Sequence, residues 1–436
     1  MSFLNHYSKI DSATIATVAK EYGTPVYLYD ENTIREKCQM VLSMPNAFGL
    51  TVRYAMKANS NRTLLQTIHQ CGLCIDASSL NEVRRAHLAG IPYQDIILTT
   101  QEIPENDDRI DLEQMILQGL KYNVCSLRQL YLIGDFAKAN KINLSIRVHP
   151  GVGSGESASR NTGDNYSCFG IHLSDIGQAL DFAKEKGILF TQVHVHIGSG
   201  ADPLMWRQNI DLELDIIDRY FPDATTVSFG GGLKEARMPY EIGADVNELG
   251  SYAKQQIEAF YQRTNRKLKM EIEPGTYIVA NCGYAITKVI DKKRTGNDGF
   301  NFIIANGGME INARPIMYGS LHPFYMVSEH GKLLSSEFDI NNIAQSDYEA
   351  VIVGRCCESG DSQSLDDNDT SIPRKMIEPN VGDYFVIGGT GAYCSSMTPF
   401  NYNSHAQIPE VLFTSENTLQ LIRKRQTLNQ IVENEI

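Results

Sequence analysis

Short apolar, β-branched runs recur along this chain from Thr51: 51–56 (TVRYAM), 74–78 (CIDAS), 96–100 (IILTT), 122–126 (YNVCS), 144–149 (LSIRVH), 191–197 (TQVHVHI), 225–229 (TTVSF) and 268–273 (LKMEIE). Between most of them apolar residues fall three and four apart, as from Leu80 to Ala86, Leu130 to Ala137, Ile176 to Ala183 and Leu249 to Phe260. That spacing marks one face of a helix. Strands alternating with helices imply parallel pairing, and eight of them imply a closed (β/α)8 TIM-like barrel. An open doubly wound sheet is the competing arrangement. It wants a glycine fingerprint at an early strand-to-helix turn, which the first strand lacks.

Ahead of the barrel, the pattern predicts a helix over Ser12 to Tyr22, a strand over Val26 to Tyr29 and a second helix from Asn32. After Gly275 helical spacing nearly vanishes. Strands at 284–290, 300–304, 349–353 and 384–387 then alternate with turn clusters such as KKRTGNDG. The expected organisation is an N-terminal segment (1–45) joining the later domain, a barrel (46–284), and an antiparallel β domain (285–436) with a helical tail from Thr418 to Asn434.

Composition narrows the class. The 436 residues carry a net charge of −13, which argues against nucleic acid or an anionic membrane as partner. No apolar run approaches the ~18 residues of a membrane span. The first residues, MSFLNHYSKIDSATIA, lack a signal-peptide pattern. Nine cysteines without regular spacing suit a reducing cytoplasm; Cys71 and Cys74 have CxxC spacing but no second pair. An enzyme in the cytoplasm is the expectation.

Catalytic groups of a β/α barrel sit at the C-terminal ends of its strands. Lys57, Asp76, Arg147, the segment His194 to Gly200, Gly230-Gly231-Gly232 and Glu273-Pro274-Gly275 all fall at or near such ends. A lysine there can serve as amine nucleophile or Schiff-base former, or merely snorkel. Three glycines bare the backbone N–H groups to an anion, and without Gly-Lys-Ser/Thr they favour a phosphorylated cofactor over a nucleoside triphosphate. His194 and His196 share a strand face but lack further ligands, so no metal is expected there. His196 better suits stacking on a flat ligand, and His194 packing within the barrel. Glu273 can keep a pyridine nitrogen protonated. The polar loop opened by Gly151-Val152-Gly153-Ser154-Gly155 reads equally as cover for a site or as a surface excursion. In the β domain, Gly354 to Asp361 (GRCCESGD) gathers thiols and acids, and Gly391-Ala392-Tyr393 offers a hydroxyl.

The segments YAMKAN, DASSLNE, HVHIGSG, FGGG, EPG, ARPIMY, CESGD and GAY, in this order over residues 54 to 393, resemble the fold-type III pyridoxal-phosphate decarboxylases, within them the diaminopimelate decarboxylase group. The resemblance implies an alanine-racemase-like barrel followed by a β domain, and pyridoxal 5'-phosphate as cofactor. It implies that Lys57 forms the Schiff base, that His196 stacks on the ring and that Glu273 pairs with the pyridine nitrogen. Asp76 joins the cofactor site, and Ser199, Gly230, Gly231, Gly232 and Tyr393 hold the phosphate. Cys357, in the CESGD register, would protonate the α-carbon, and Glu358 would meet the distal amine. Arg314 and Tyr318 would hold the distal carboxylate. The family's site forms between two subunits, which implies a homodimer. The related racemases couple the ring nitrogen to an arginine, so Glu273 favours decarboxylation. A non-catalytic relative would typically lack the lysine or the thiol.

One departure bears on substrate. The group usually reads EPG-Arg, where this chain has Thr276. One neutral hydrogen bond there replaces a charged fork worth ~1–2 kcal/mol more. The resemblance therefore implies meso-diaminopimelate first, with D-lysine, D-ornithine or a siderophore or polyamine precursor as the alternative.

Overall fold

The computed structural model describes residues 10–152, 163–164, 166–198, 203–339, 346–366 and 368–436. Two compact units result. One comprises residues 37–234 and 243–275, the other residues 1–36, 235–242 and 276–436. The first strand, β1 (Val26–Asp30), belongs to the second, β-rich unit.

The first unit is a closed parallel barrel. Its staves are β2 (Leu50–Ala55), β3 (Cys74–Ala77), β4 (Ile96–Thr99), β5 (Lys121–Val124), β6 (Leu144–His149), β8 (Phe190–His194), β9 (Thr226–Ser228) and β10 (Lys269–Ile272), with a two-residue β7 (Ile171–His172) beside β6. Closure comes from β10 against β2, which pairs Met270 with Leu50 and Ile272 with Val52. These strands are buried on both faces, as parallel strands covered by helices must be, and their apolar runs are correspondingly continuous. Inside the barrel, Arg53 Nε meets Glu271 Oε1 at 2.9 Å, and Gln192 donates to the same oxygen at 2.7 Å. Burial opposes the Arg53 charge, yet Glu271 outweighs it and raises the guanidinium pKa. Helix starts are capped locally: Ser79 accepts from Glu82 N, Ser126 from Gln129 N and Asp245 from Asn247 N.

The second unit is built on one sheet in the order β14-β13-β17-β11-β1-β18-β19. These are β11 (Gly283–Arg294), β13 (Phe324–Val327), β14 (Leu333–Ser336), β17 (Tyr384–Gly388), β18 (Glu410–Phe413) and β19 (Leu419–Arg423) around β1; β12 (Asn301–Ala305), β15 (Glu349–Val353) and β16 (Arg374–Lys375) extend it from β11. The sheet is mixed rather than wholly antiparallel, because β1 runs parallel to β18 and β12 parallel to β15. Ile15 and Val18 of helix Ser12–Tyr22 share a core with Val26, Leu28, Ile286, Val386 and Val411.

The tail expected to be helical is not one helix. Leu419–Arg423 pairs antiparallel with β18, and only Leu428–Ile431 is helical, behind a capping box of Thr427 and Gln430. Strand pairing overrides a helical spacing too short to hold itself. Among the described residues no helix is long and apolar enough to cross a membrane.

Candidate active site

Each acid or base at the barrel mouth is placed by the end of a strand. Lys57 follows β2 on a single 3-10 turn, Met56–Ala58, and is exposed while both its neighbours are buried. The turn is braced by Tyr54, whose hydroxyl donates to Asn59 O at 3.0 Å. A side chain at Gly275 would press on Ala55 O at 3.2 Å. Asp76, in β3, is buried, and its Oδ1 has no hydrogen-bond partner. Burial first, then the Glu273 charge, raises its carboxyl well above the usual range, with Lys57 opposing.

Glu273 follows β10 and is 6% exposed. Burial pushes its pKa up, but His194 and the Ser228 hydroxyl outweigh that and hold it at about 2. Ser228 Oγ donates to Glu273 Oε1 at 3.1 Å. His194 Nε2 lies 3.1 Å from Oε2, in contact though off-angle for a hydrogen bond. The orientation of His194 is set from behind. Ser145 Oγ donates to Asn123 Oδ1 at 2.9 Å, and Asn123 Nδ2 meets His194 Nδ1 at 2.9 Å. With the amide donating, Nδ1 accepts and the ring proton belongs on Nε2, facing Glu273. The sequence placed His194 as packing. It is fully buried, and it also orients the carboxylate.

His196 is half-buried. Burial, then the Arg147 guanidinium, depresses its pKa well below the ordinary value, so the ring is neutral. Its Nδ1 accepts from Gly231 N at 3.3 Å. The glycine triplet after β9 is a close-packed backbone. A Cβ at Gly230 would meet His196 Cβ and Val195 O at 2.9 Å, at Gly231 it would meet Glu273 O at 2.8 Å, and at Gly232 Gly198 O at 2.6 Å. Gly230 and Gly232 also take positive φ, of 65° and 90°. Such alternation turns successive N–H groups into a concave anion cradle. Ser199, Gly153, Ser154 and Gly155 lie outside the described residues.

In the β unit the site residues form two groups. Arg314, buried at the start of helix Arg314–Tyr318, has its guanidinium carbon 5.8 Å from the Tyr318 ring and 5.9 Å from that of Tyr393. Tyr393 is held at φ 57°, in a loop whose Gly391 has no room for a Cβ, Val279 O being 1.7 Å from where it would lie. A non-glycine residue in that region is a strain that surrounding packing must hold. Thr276 opens the short helix Thr276–Val279, half-buried. The second group is the turn after β15. Cys357 and Glu358 are exposed there. Cys357 N donates to Asn403 Oδ1 at 2.8 Å, and Tyr402 OH to Glu358 Oε2 at 3.2 Å. The Gly360 N–H, then Tyr402, lowers the Glu358 pKa. Cys356 faces the other way, half-buried. Burial, then Glu310 and Asp361, pushes its thiol pKa far up.

Sequence reasoning missed Asn123, Ser145, Ser228 and Glu213. The signal was a polar residue amid apolar neighbours within a strand or helix. Glu213 is fully buried; desolvation, then Glu273, raises its pKa well above the carboxylate range.

The residues present suit a flat, anionic, phosphorylated ring: a neutral imidazole, an ionised carboxylate, a lysine and a glycine cradle at one barrel mouth. Comparison with known proteins agrees. Residues 31–280 match the family described as pyridoxal-dependent decarboxylase, pyridoxal binding domain. The diaminopimelate decarboxylase of Escherichia coli K12 is 32% identical over 426 residues, 95% of this chain and 94% of its own length. That of Streptomyces coelicolor is 30% identical over 434 residues, 98% and 92% of the two chains. A crystal structure of a diaminopimelate decarboxylase superposes with a TM-score of 0.89 at 30% identity, covering 100% of this chain and 99% of the other.

Proposed function

The chain belongs to the pyridoxal-dependent decarboxylases, and from that premise we propose that it converts meso-diaminopimelate to L-lysine and CO2. Its cofactor is pyridoxal phosphate. When bound, that group supplies a protonated pyridine ring that takes up the electron pair left as the bond to the carboxylate breaks.

The observation that carries the reading is Glu273. It stays ionised while buried, because the Ser228 hydroxyl donates to one of its oxygens and the His194 ring lies against the other. An acceptor fixed in that state keeps a ring nitrogen protonated. Lys57 supplies the amine that anchors the cofactor and yields to the substrate amine. Neutral His196 offers a face for stacking, its Nδ1 already engaged by Gly231 N. Asp76, with its unpartnered Oδ1, supports the same ring. Gly230 and Gly232, together with Ser199 and Tyr393, bind phosphate oxygens, and Gly231 lines the same cradle with its N–H on His196. Arg314 and Tyr318 hold the distal carboxylate, and Glu358 takes the distal ammonium. Cys357, exposed where Cys356 is turned inward, delivers the proton to the α-carbon. Its exposure, with that of Glu358, supports a homodimer in which this turn serves the partner's site. An odd cysteine count without regular spacing supports the cytoplasm as the compartment.

Thr276 favours a second reading, in which the substrate lacks the distal carboxylate, as D-lysine or D-ornithine does. One assay separates the two: CO2 release from meso-diaminopimelate beside D- and L-lysine and D- and L-ornithine. Turnover of a monocarboxylate diamino acid above diaminopimelate would establish the second reading. Racemised substrate without CO2 would sink both.

A further inference from the structure

Three turns of the β unit meet around side chains that the decarboxylase reading leaves idle. Glu310, Cys356 and His405 each bring one potential ligand atom, and these atoms all lie within 4.8 Å of one another. We propose that this cluster is a binding site for a single divalent ion of zinc-like softness, held by Glu310 Oε2, Cys356 Sγ and one ring nitrogen of His405, with water completing a tetrahedron.

The donor set fits that chemistry. Thiolate, imidazole and carboxylate together select zinc and its neighbours over magnesium or calcium, which want oxygen alone. The spacing fits as well. Bonds of about 2.3 Å to sulfur and about 2.0 Å to oxygen at a tetrahedral angle put the two ligands about 3.5 Å apart. Cys356 Sγ and Glu310 Oε2 are 3.6 Å apart.

The scaffold is set before any ion arrives. Asp361, buried, accepts from Met309 N through Oδ1 at 2.6 Å and from Cys356 N through Oδ2 at 2.8 Å. It thereby stitches the turn carrying Glu310 to the turn carrying Cys356. Its approach to both backbones requires glycine on each side. A Cβ at Gly308 would lie 2.0 Å from Asp361 Oδ1, and one at Gly354 2.3 Å from Oδ2. Gly308 N fixes Glu310 Oε2 at 2.8 Å, and Arg355 Nε takes the other oxygen at 3.0 Å. The third turn is tied in by Asn403, which accepts from Cys357 N at 2.8 Å, two residues before His405. The Glu310 side chain is 4% exposed, so its carboxylate is already stripped of most water.

Binding forms a bond from Cys356 Sγ to the ion, and the thiol proton leaves to solvent. The charges of Glu310, Asp361, the new thiolate, Arg355 and a divalent ion then cancel. The effect is a clamp across three turns, one residue from Cys357. This differs from the expectation of no metal, which considered the two barrel histidines. It does not depend on which amino acid is decarboxylated.

The test is a Co2+ titration of the intact holoenzyme after chelator treatment, read in the visible d–d bands that tetrahedral cobalt gives, with Zn2+ as competitor. We expect one Co2+ per chain, displaced by Zn2+, and a rise in melting temperature with either ion. Cys356→Ser should abolish the tetrahedral spectrum. His405→Asn should weaken binding by about 10-fold or more, since even outer-sphere changes cost that much. Cys357→Ser should keep the spectrum. No tetrahedral cobalt in folded wild-type protein would overturn the proposal, as would a spectrum that survives Cys356→Ser and vanishes in Cys357→Ser. Circular dichroism of each variant shows that a lost spectrum is not lost folding.

Discussion

The barrel mouth and the turn after β15 carry chemistry in opposite ways. In the barrel, Glu273, His194, Asn123 and Asp76 are buried, His194 lowering the Glu273 pKa and Glu273 raising that of Asp76. On the turn, Cys357 and Glu358 stand in solvent and are held mainly through backbone N–H groups. Burial makes the first set a tuned environment, where a lost partner changes the charge of a neighbour. Exposure makes the second a set of deliverable groups, where a lost side chain removes only its own function.

The largest expected effect is at the lysine. Lys57→Ala should lower turnover by roughly 10³-fold or more, measured as CO2 release, and borohydride should no longer fix cofactor to the protein. Substantial residual turnover would remove Lys57 from the mechanism. Next is Glu273→Gln, for which a loss of about 10²-fold is expected, together with a shifted cofactor absorbance. Cys357→Ala should slow product formation by about 10-fold or more and raise the share of abortive transamination. An unchanged product ratio would refute the proton-delivery role.

A subtler break in the contrast comes from behind the histidine. Asn123→Ala touches nothing reactive, yet should lower kcat several-fold and displace the pH profile, because His194 loses the donor that fixes its tautomer. The smallest effect is on stability. His196 has its pKa depressed in the folded state, so folding is favoured above the unfolded value of 6.5 and loses ground as pH falls below it. Wild type should therefore lose up to about 1.4 kcal/mol per pH unit below 6.5 that His196→Asn does not lose, by denaturant titration at pH 7 and pH 5. Equal slopes would show that the ring is protonated in the native protein.

Much of this was legible in the chain itself, for physical reasons. Parallel strands buried on both faces must be continuous apolar runs, so the eight staves announce themselves, and their ends place Lys57, Asp76 and Glu273. Period-2 logic assigns a face but no neighbour, which is why Ser145, Asn123 and His194 read as filler although they form one oriented path to Glu273. The parallel pairings of β1 with β18 and of β12 with β15 left no local trace, because nothing in Val26 to Asp30 encodes a partner near residue 410. Leu419 to Arg423 misled because five residues satisfy a helix and a strand equally. The inward turn of Cys356 and the outward turn of Cys357 follow from Asp361 and Asn403, whose bonds to the two cysteine N–H groups are not encoded by the pattern of two adjacent thiols.

The place of β1 has a consequence for how the chain matures. It lies between β11 and β18, pairing Val26 with Ile286 and Tyr27 with Glu410. A strand made within the first thirty residues thus finds its second partner only when residues 410–413 have emerged from the ribosome. Until then Val26, Tyr27, Leu28 and Tyr29 present an apolar ribbon with one open edge, the kind of nascent segment that attracts chaperones or other chains. The barrel, whose last stave ends at Ile272, has all its strands well before that, so its cofactor cradle can close while the β sheet still lacks β18.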